Sequence, residues 1–193
     1  MHINNTLLIV GGTGRNVGKT EFVCRLIAQI ASHHSVYALK VSSIFPDEEM
    51  YHGSHKENEG RRQLFEETRS NTQKDTSRML RAGATKVFYL QGSDSEVDSG
   101  YNEFLAQVPE KTAIVCESNS LGQFVRPALS VMVRTSDGVI KPRAVPQLES
   151  ADLVVVSDCC SGFPELSLIS YTVDAGWIVL PTPTQEPHSE TVR

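Results

Sequence analysis

The sequence lacks an apolar run long enough to cross a bilayer, so no membrane-spanning helix is predicted. Its first residues, MHINNTLLIVGGTG, have no basic leader, and their short apolar run leads into glycines instead of a cleavage site. We therefore expect no signal peptide. Both absences favour a cytoplasmic protein that does not act at a membrane.

The sequence also lacks an excess of positive charge. It has 18 Lys and Arg against 23 Asp and Glu, which gives a formal net charge of -5. A broad nucleic-acid-binding surface needs the opposite balance, so no nucleic-acid partner is expected. A local basic pocket for phosphate groups remains compatible with this charge.

Cysteine is scarce, and its spacing fits no metal site. Of the four cysteines, Cys24 and Cys116 lie inside apolar runs, whereas Cys159 and Cys160 are adjacent and badly placed for a disulfide with each other. Reduced thiols in the cytoplasm are the simplest interpretation. The role of the Cys159–Cys160 pair is left open.

Short β-branched runs alternate with segments of helical periodicity. This pattern predicts an α/β fold, with a mostly parallel sheet covered by helices on both faces. We expect one domain over residues 1–180 and a loose, proline-rich tail over residues 181–193. The predicted strands are Thr6–Val10, Ser35–Val41, Thr85–Leu90, Thr112–Cys116, Leu129–Arg134, Asp152–Ser157 and Gly176–Leu180, and the predicted helices are Lys19–His33, Asp75–Ala82 and Asn102–Val108.

Residues 42–73 form a polar segment with few apolar anchors. A segment of this length inside a compact domain is usually functional. We interpret it as a polar lid or insertion, with a short helix near Glu59–Thr68. It is expected to contact either an acceptor molecule or a protein partner.

The strongest motif is the glycine-rich segment GGTGRNVGKT, residues 11–20, between a predicted strand and a predicted helix. Its glycines allow backbone N–H groups to approach phosphate oxygens, and the helix that follows adds its positive end. Lys19 can reach the β- and γ-phosphates, and the Thr20 hydroxyl can bind Mg²⁺. ATP or GTP is the expected ligand. The predicted nucleotide-binding residues are Gly12, Thr13, Gly14, Arg15, Asn16, Val17, Gly18, Lys19, Thr20, Glu21 and the strand-end Lys40.

Two carboxylates are candidates for the second half of such a site. Glu117 directly follows a predicted buried strand, whose carboxyl end is where ligands bind in such folds. Asp75 begins a predicted helix beside Thr76, Ser77 and Arg78. The alternatives are a solvent-exposed strand-end Glu117 and a helix-capping Asp75. We predict Mg²⁺ ligation by Thr20, Asp75 and Glu117, and catalytic roles for Lys19 and Glu117.

Two segments resemble known P-loop proteins. The spacing G-T-x-x-x-V-G-K-T over residues 12–20 is similar to that of dethiobiotin synthetase. The stretch KDTSRMLRAGA, residues 74–84, resembles the G-K-D-S-x-R-x-x-x-A-G-A signature of the MobB-type molybdopterin-guanine dinucleotide biosynthesis adaptor proteins. The sequence departs from that signature at Thr76, which is inserted between Asp75 and Ser77, and it lacks a Gly-Phe-Lys after the acid.

The resemblance implies a P-loop fold that binds GTP, hydrolyses it weakly and associates with molybdenum-cofactor enzymes. It also implies a homodimer as one option. Two functions follow. One is a slow NTPase or accessory factor in molybdopterin or metal-cofactor biosynthesis, with a protein partner. The other is a small-molecule kinase or ATP-dependent ligase that uses the γ-phosphoryl group on an acceptor. A third, a degenerate P-loop interaction module, is disfavoured by the intact Lys19, Thr20 and Glu117. No Asn-Lys-x-Asp motif follows the DLVVVS strand, so the choice between ATP and GTP is open.

Overall fold

The computed structural model describes residues 3–43, 63–158 and 160–181. Seven strands form its main sheet, in the spatial order β3-β4-β2-β5-β1-β6-β7. All neighbours are parallel except β3, which runs antiparallel to β4. The predicted α/β class and mostly parallel sheet are therefore confirmed. In chain order the strands are β1 (Ile3–Gly12), β2 (Val36–Ser43), β3 (Gln63–Glu67), β4 (Lys86–Gly92), β5 (Ala113–Glu117), β6 (Arg126–Thr135) and β7 (Leu153–Ser157).

Within the described ranges, four helices connect these strands. They are α1 (Lys19–Ala31), α2 (Asp75–Arg81), α3 (Asp94–Leu105) and α4 (Val145–Glu149). Three 3-10 turns cover Leu121–Gln123, Pro142–Ala144 and Pro164–Leu168, and a separate hairpin pairs β8 (Ile169–Thr172) with β9 (Gly176–Val179).

Apolar residues of β1 alternate between the two faces of the sheet. Leu8 and Val10 pack with α1 and α2 on the first face, whereas Leu7 and Ile9 pack with α3 on the second face. This alternation follows from the two-residue period of a strand. The helix α1 buries a single stripe at helical spacing against the first face, formed by Phe22, Val23, Leu26, Ile27 and Ile30.

The connections after β1 and β5 leave on opposite faces. The chain passes from β1 through α1 on the first face, and from β5 through the Leu121–Gln123 turn on the second face. Such a divergence of neighbouring parallel strands opens a crevice at their carboxyl ends, the usual ligand position in open α/β sheets. The register places Glu117 beside both Val10 of β1 and Lys40 of β2 at this crevice.

Several predicted elements need correction. The helix expected near Glu59–Thr68 is wrong for residues 63–67, which form β3, while residues 59–62 lie outside the described chain. The helix expected at Asn102–Val108 is the end of α3, which begins at Asp94 because Ser93 and Glu96 form a capping box. The strand expected at Gly176–Leu180 is β9 and pairs with β8 instead of extending the main sheet.

The remaining boundary predictions concern residues that are largely not described. Residues 44–62, most of the polar segment, and residues 182–193, most of the expected tail, lie outside the described ranges. Among the helices of the described ranges, none has the length and apolarity needed to cross a membrane. Cys24, Cys116 and Cys160 are free thiols, and Cys159 is not described.

Candidate functional site

The glycine-rich loop, residues 12–18, leaves the carboxyl end of β1 and enters α1. Its base is held on both sides. The Asn119 side chain accepts a hydrogen bond from Gly12 N at 2.8 Å and donates one to Gly12 O at 3.1 Å. On the other side, Thr13 N donates to Val133 O at 3.0 Å, and Lys141 N donates to Thr13 O at 2.9 Å. The start of the loop is therefore fixed by β6 and by the turn after β5.

Beyond this base the loop has unpaired donors. Within the described ranges, the backbone N–H groups of Gly14, Asn16, Val17 and Gly18 donate to no protein acceptor. The first helical bond of α1 runs from Phe22 N to Gly18 O, so the N–H groups of the first helical turn also lack helical partners. Consecutive unpaired amides at the start of a helix form a concave site suited to an anion.

Lys19 lies across this loop. Its Nζ donates to Gly14 O at 2.8 Å. A Cβ atom at Gly12 would lie 2.6 Å from Lys19 Cδ, so the glycine lets the lysine stem pack against the loop. Burial lowers the pKa of Lys19, and the nearby Glu117 carboxylate partly opposes this effect. A half-buried ammonium held by one carbonyl is well placed to exchange that partner for an anion.

Gly18 adopts a backbone conformation that other residues rarely adopt. Its φ is 95°, and it caps the start of α1. A Cβ atom at this position would lie 2.8 Å from Ser157 Oγ at the end of β7. Both the left-handed backbone and the contact with β7 therefore require glycine here.

We expect Gly18→Ala to lower the free energy of unfolding by about 1–2 kcal/mol, the usual cost of a left-handed non-glycine residue. The strain falls on the last loop residue, so binding of an anion to the loop should weaken as well. Urea denaturation measures the first effect. Gly122→Ala is the matched control, because a Cβ there meets no heavy atom within 4 Å and its φ is not positive. Equal stability of the two variants would contradict the conclusion that position 18 requires glycine.

A four-residue ionic cluster lies beside the loop. Lys40 Nζ donates to Asp75 Oδ2 at 2.6 Å and to Glu117 Oε1 at 2.8 Å. The Thr20 hydroxyl donates to Glu117 Oε2 at 2.9 Å. Burial alone would lower the pKa of Lys40, but the Glu117 and Asp75 carboxylates outweigh it and raise that pKa. Residues from α1, β2, α2 and the end of β5 thus meet at one point.

The alternatives for the two acids can now be judged. Glu117 is only 4% exposed, so it is not a solvent-exposed strand-end residue. Asp75 is the first residue of α2, and the N-cap position belongs to Lys74, so the helix-capping alternative does not hold in that form. Both carboxylates are directed to Lys40 instead.

The predicted loop residues differ in how they are presented. Arg15 and Asn16 are exposed, and Asn16 has a φ of 55°. Val17 is buried in the core on the first face of the sheet, and Thr13 is fully buried. In the described part of the chain the Thr13 hydroxyl has no hydrogen-bond partner. Val17 therefore offers a ligand its backbone N–H and not its side chain, whereas Thr13, whose backbone N–H and C=O are both bonded, belongs to the base of the loop.

Glu21 was predicted to bind nucleotide, but its carboxylate is already paired. It accepts hydrogen bonds from Arg25 Nε at 2.9 Å and from Arg78 Nη2 at 2.6 Å. The Arg25 hydrogen bond, assisted by Arg78, lowers the pKa of Glu21. The side chain therefore ties α1 to α2, and any contact with an anion would come from its backbone N–H.

Sequence reasoning underestimated two residues. The Asn119 amide holds Gly12, a contact that the sequence analysis did not predict. Its position two residues after the acid of the neighbouring strand was the available signal. The bond from Arg78 to Glu21 was not predicted either, because it depends on the packing of α1 against α2, which spacing along the chain does not reveal.

A cleft of about 560 Å³ opens on the second face of the sheet, between the Leu121–Gln123 turn and α4. Its lining includes Ile9 and Met132 from the strands, Asn119 beside the loop, and Asp152 at the start of β7. Within the described ranges, the short connections after β5 and β6 place no full-length helix over the β6 side of this face, whereas α3 covers the side of β2 and β4. The cleft volume is in the range of small-molecule sites.

The oxygen atoms of the ionic cluster are of the kind that binds a hard cation. Mg²⁺ is typically held by one or two carboxylates together with substrate phosphates, and Asp75, Glu117 and Thr20 supply oxygen ligands only. No group of three or more His, Cys, Asp or Glu side chains that could hold a metal occurs among the described residues. A cation here would therefore need oxygens from a bound ligand.

A comparison with protein families, with curated proteins and with solved structures found no match to this chain.

Proposed function

We propose that this protein is a P-loop nucleotide-binding protein that holds ATP or GTP with Mg²⁺. The backbone N–H groups of Gly14, Asn16, Val17 and Gly18, which have no acceptor among the described residues, carry this proposal together with Lys19 at the crevice between β1 and β5. A polyphosphate satisfies these donors together, since its oxygens accept from several N–H groups and its charge suits the start of α1. The resemblances to the MobB-type adaptors and to dethiobiotin synthetase agree with it.

Each residue of the ionic cluster has a role in this proposal. The Thr20 hydroxyl, Asp75 and Glu117 would hold Mg²⁺, which neutralises charge on the phosphates. Lys19 would exchange Gly14 O for phosphate oxygens, and Lys40 adds a second positive charge near the same point. The site thus combines main-chain donors with two ammonium groups.

Slow hydrolysis by an accessory factor in cofactor biosynthesis is the favoured activity. Both oxygens of Glu117 are occupied, Oε1 by Lys40 and Oε2 by Thr20. A carboxylate with both oxygens engaged is a poor general base for water unless the cluster rearranges. This arrangement supports a function in which the protein binds nucleotide but hydrolyses it slowly.

Isothermal titration calorimetry with ATPγS and GTPγS, each with MgCl₂, tests the binding proposal. We expect saturable binding of at least one of them, at one site per chain. Removal of Mg²⁺ with EDTA should weaken it. The absence of saturable binding for both nucleotides at millimolar concentration would refute the proposal. The ratio of the two affinities decides between ATP and GTP.

The second candidate is a phosphotransferase or ligase, and the cleft is the observation that favours it. The cleft begins at Gly11 and Asn119, immediately beside the loop, and has room for a small acceptor. Turnover of [γ-³²P]ATP and GTP should then rise when a pool of small carboxylic acids, amines and alcohols is added, with label appearing in the acceptor. Turnover that stays slow and independent of every acceptor favours the accessory role.

A further inference from the structure

Lys40 lies between the two carboxylates that would bind Mg²⁺. Its Nζ is 2.6 Å from Asp75 Oδ2 and 2.8 Å from Glu117 Oε1, so both carboxylates converge on one positive charge. The Lys40 side chain is 20% exposed and that of Glu117 only 5%. The ammonium group therefore neutralises this acidic pair in a largely enclosed place.

The position between these oxygens has room for one cation. A divalent cation and an ammonium group a few ångströms apart repel each other strongly in a place that is largely shielded from water. Mg²⁺ also needs its oxygens at about 2.0–2.1 Å, closer than the oxygens around an ammonium nitrogen. A divalent cation and the Lys40 ammonium thus compete for the same two carboxylates.

We infer, on the basis of the proposed nucleotide site, that Lys40 blocks divalent-cation binding in the nucleotide-free protein and releases Asp75 and Glu117 only when nucleotide is bound. The phosphates then replace the two carboxylates as the negatively charged partners of Lys40. Thr20 remains beside Glu117 in either case, because its hydroxyl already contacts the other carboxylate oxygen.

This exchange couples the two ligands. If nucleotide makes the cation bind more tightly, the cation must make nucleotide bind more tightly by the same factor. Without Lys40 the acidic pair loses the charge that both carboxylates share, leaving Arg78 at 4.0 Å from Asp75 Oδ1, and it attracts a cation more strongly on its own. The coupling should then shrink, because the cation no longer needs the nucleotide.

The test is a titration of Mn²⁺ into nucleotide-free protein, followed by electron paramagnetic resonance. We expect the wild-type protein to bind Mn²⁺ weakly and Lys40→Met to bind it at least about tenfold more tightly. Lys40→Met/Glu117→Gln should return to within about threefold of wild type, which assigns the gain to the freed carboxylate. Lys86→Met is the matched control, since Lys86 pairs with Glu66 on the surface at 3.1 Å.

Unchanged Mn²⁺ affinity in folded Lys40→Met overturns the inference, as does a gain of the same size in Lys86→Met. Circular dichroism checks the fold, and if Lys40→Met is unfolded, Lys40→Gln keeps a hydrogen-bond donor without the charge and replaces it. These titrations contain no nucleotide. A failure of ATPγS and GTPγS to bind would therefore refute the proposed function, while the Mn²⁺ comparison would still report separately on competition by Lys40.

Discussion

Lys19→Ala should reduce nucleotide affinity by about 10- to 150-fold while the protein remains folded. Lys19 is the residue that lies across the loop, and a charge-assisted hydrogen bond to phosphate is worth about 1.5–3 kcal/mol, where each 1.4 kcal/mol is a tenfold change. Among the described residues its Nζ has one hydrogen bond, to Gly14 O. The loss of that bond should cost only about 1 kcal/mol of stability.

Calorimetry with ATPγS or GTPγS measures the first effect, and urea denaturation measures the second. Lys86→Ala is a suitable control, because it removes a lysine of β4 whose partner is the surface residue Glu66. It should leave nucleotide affinity within about twofold of wild type, because Lys86 pairs with Glu66 on the surface and is not part of the proposed site. Wild-type affinity in Lys19→Ala would mean that the loop does not receive the phosphates.

Glu117→Gln should separate binding from turnover. The amide keeps a hydrogen-bond acceptor for Thr20 but loses the charge that holds a divalent cation and faces Lys40. We expect nucleotide affinity to fall by less than about tenfold and turnover to fall by about 100-fold, the order expected when a site loses electrostatic stabilisation of the transferring phosphoryl group. Stability should drop by about 2 kcal/mol, because Lys40 loses one charged hydrogen-bond partner.

Single-turnover release of labelled phosphate at saturating nucleotide measures the chemical step without the binding step. Glu66→Gln, a change of the same type on β3, should leave it unaltered, since Glu66 pairs with Lys86 away from the loop. If Glu117→Gln hydrolyses nucleotide as fast as the wild-type protein, the acid that supports turnover lies elsewhere in the chain.

The strands of the core were predictable from the sequence because each has a strong local signal. TLLIV and TAIVC are continuous apolar runs, as expected for strands buried on both faces, and β1 and β5 contain them. The residues that gather at the carboxyl ends of the strands could also be anticipated, since the ends of parallel strands meet at one edge. Lys40 and Glu117 were named on that basis and are direct neighbours.

What the sequence could not reveal depends on contacts between distant segments. The pairing of Lys40 with Asp75 requires the packing of α2 against the sheet, and the hold of Asn119 on Gly12 requires β5 beside β1. The strand β3 was missed because QLFEE is short, polar and located at the sheet edge, where burial leaves little pattern. Of the hairpin, β9 was predicted and β8 was not, and each has only four residues.

The two-sided support of Gly12 and Thr13 has a kinetic consequence. The Asn119 side-chain amide forms two hydrogen bonds with the backbone of Gly12, as a residue of a neighbouring strand would. The hydrogen bonding between β1 and β5 therefore continues past the last residue of β5. A loop that is already ordered at its base loses little chain entropy when a ligand arrives. We therefore expect association to approach the speed of diffusion guided by charge, to slow with added salt, and to show no separate closing step of this loop in stopped-flow traces.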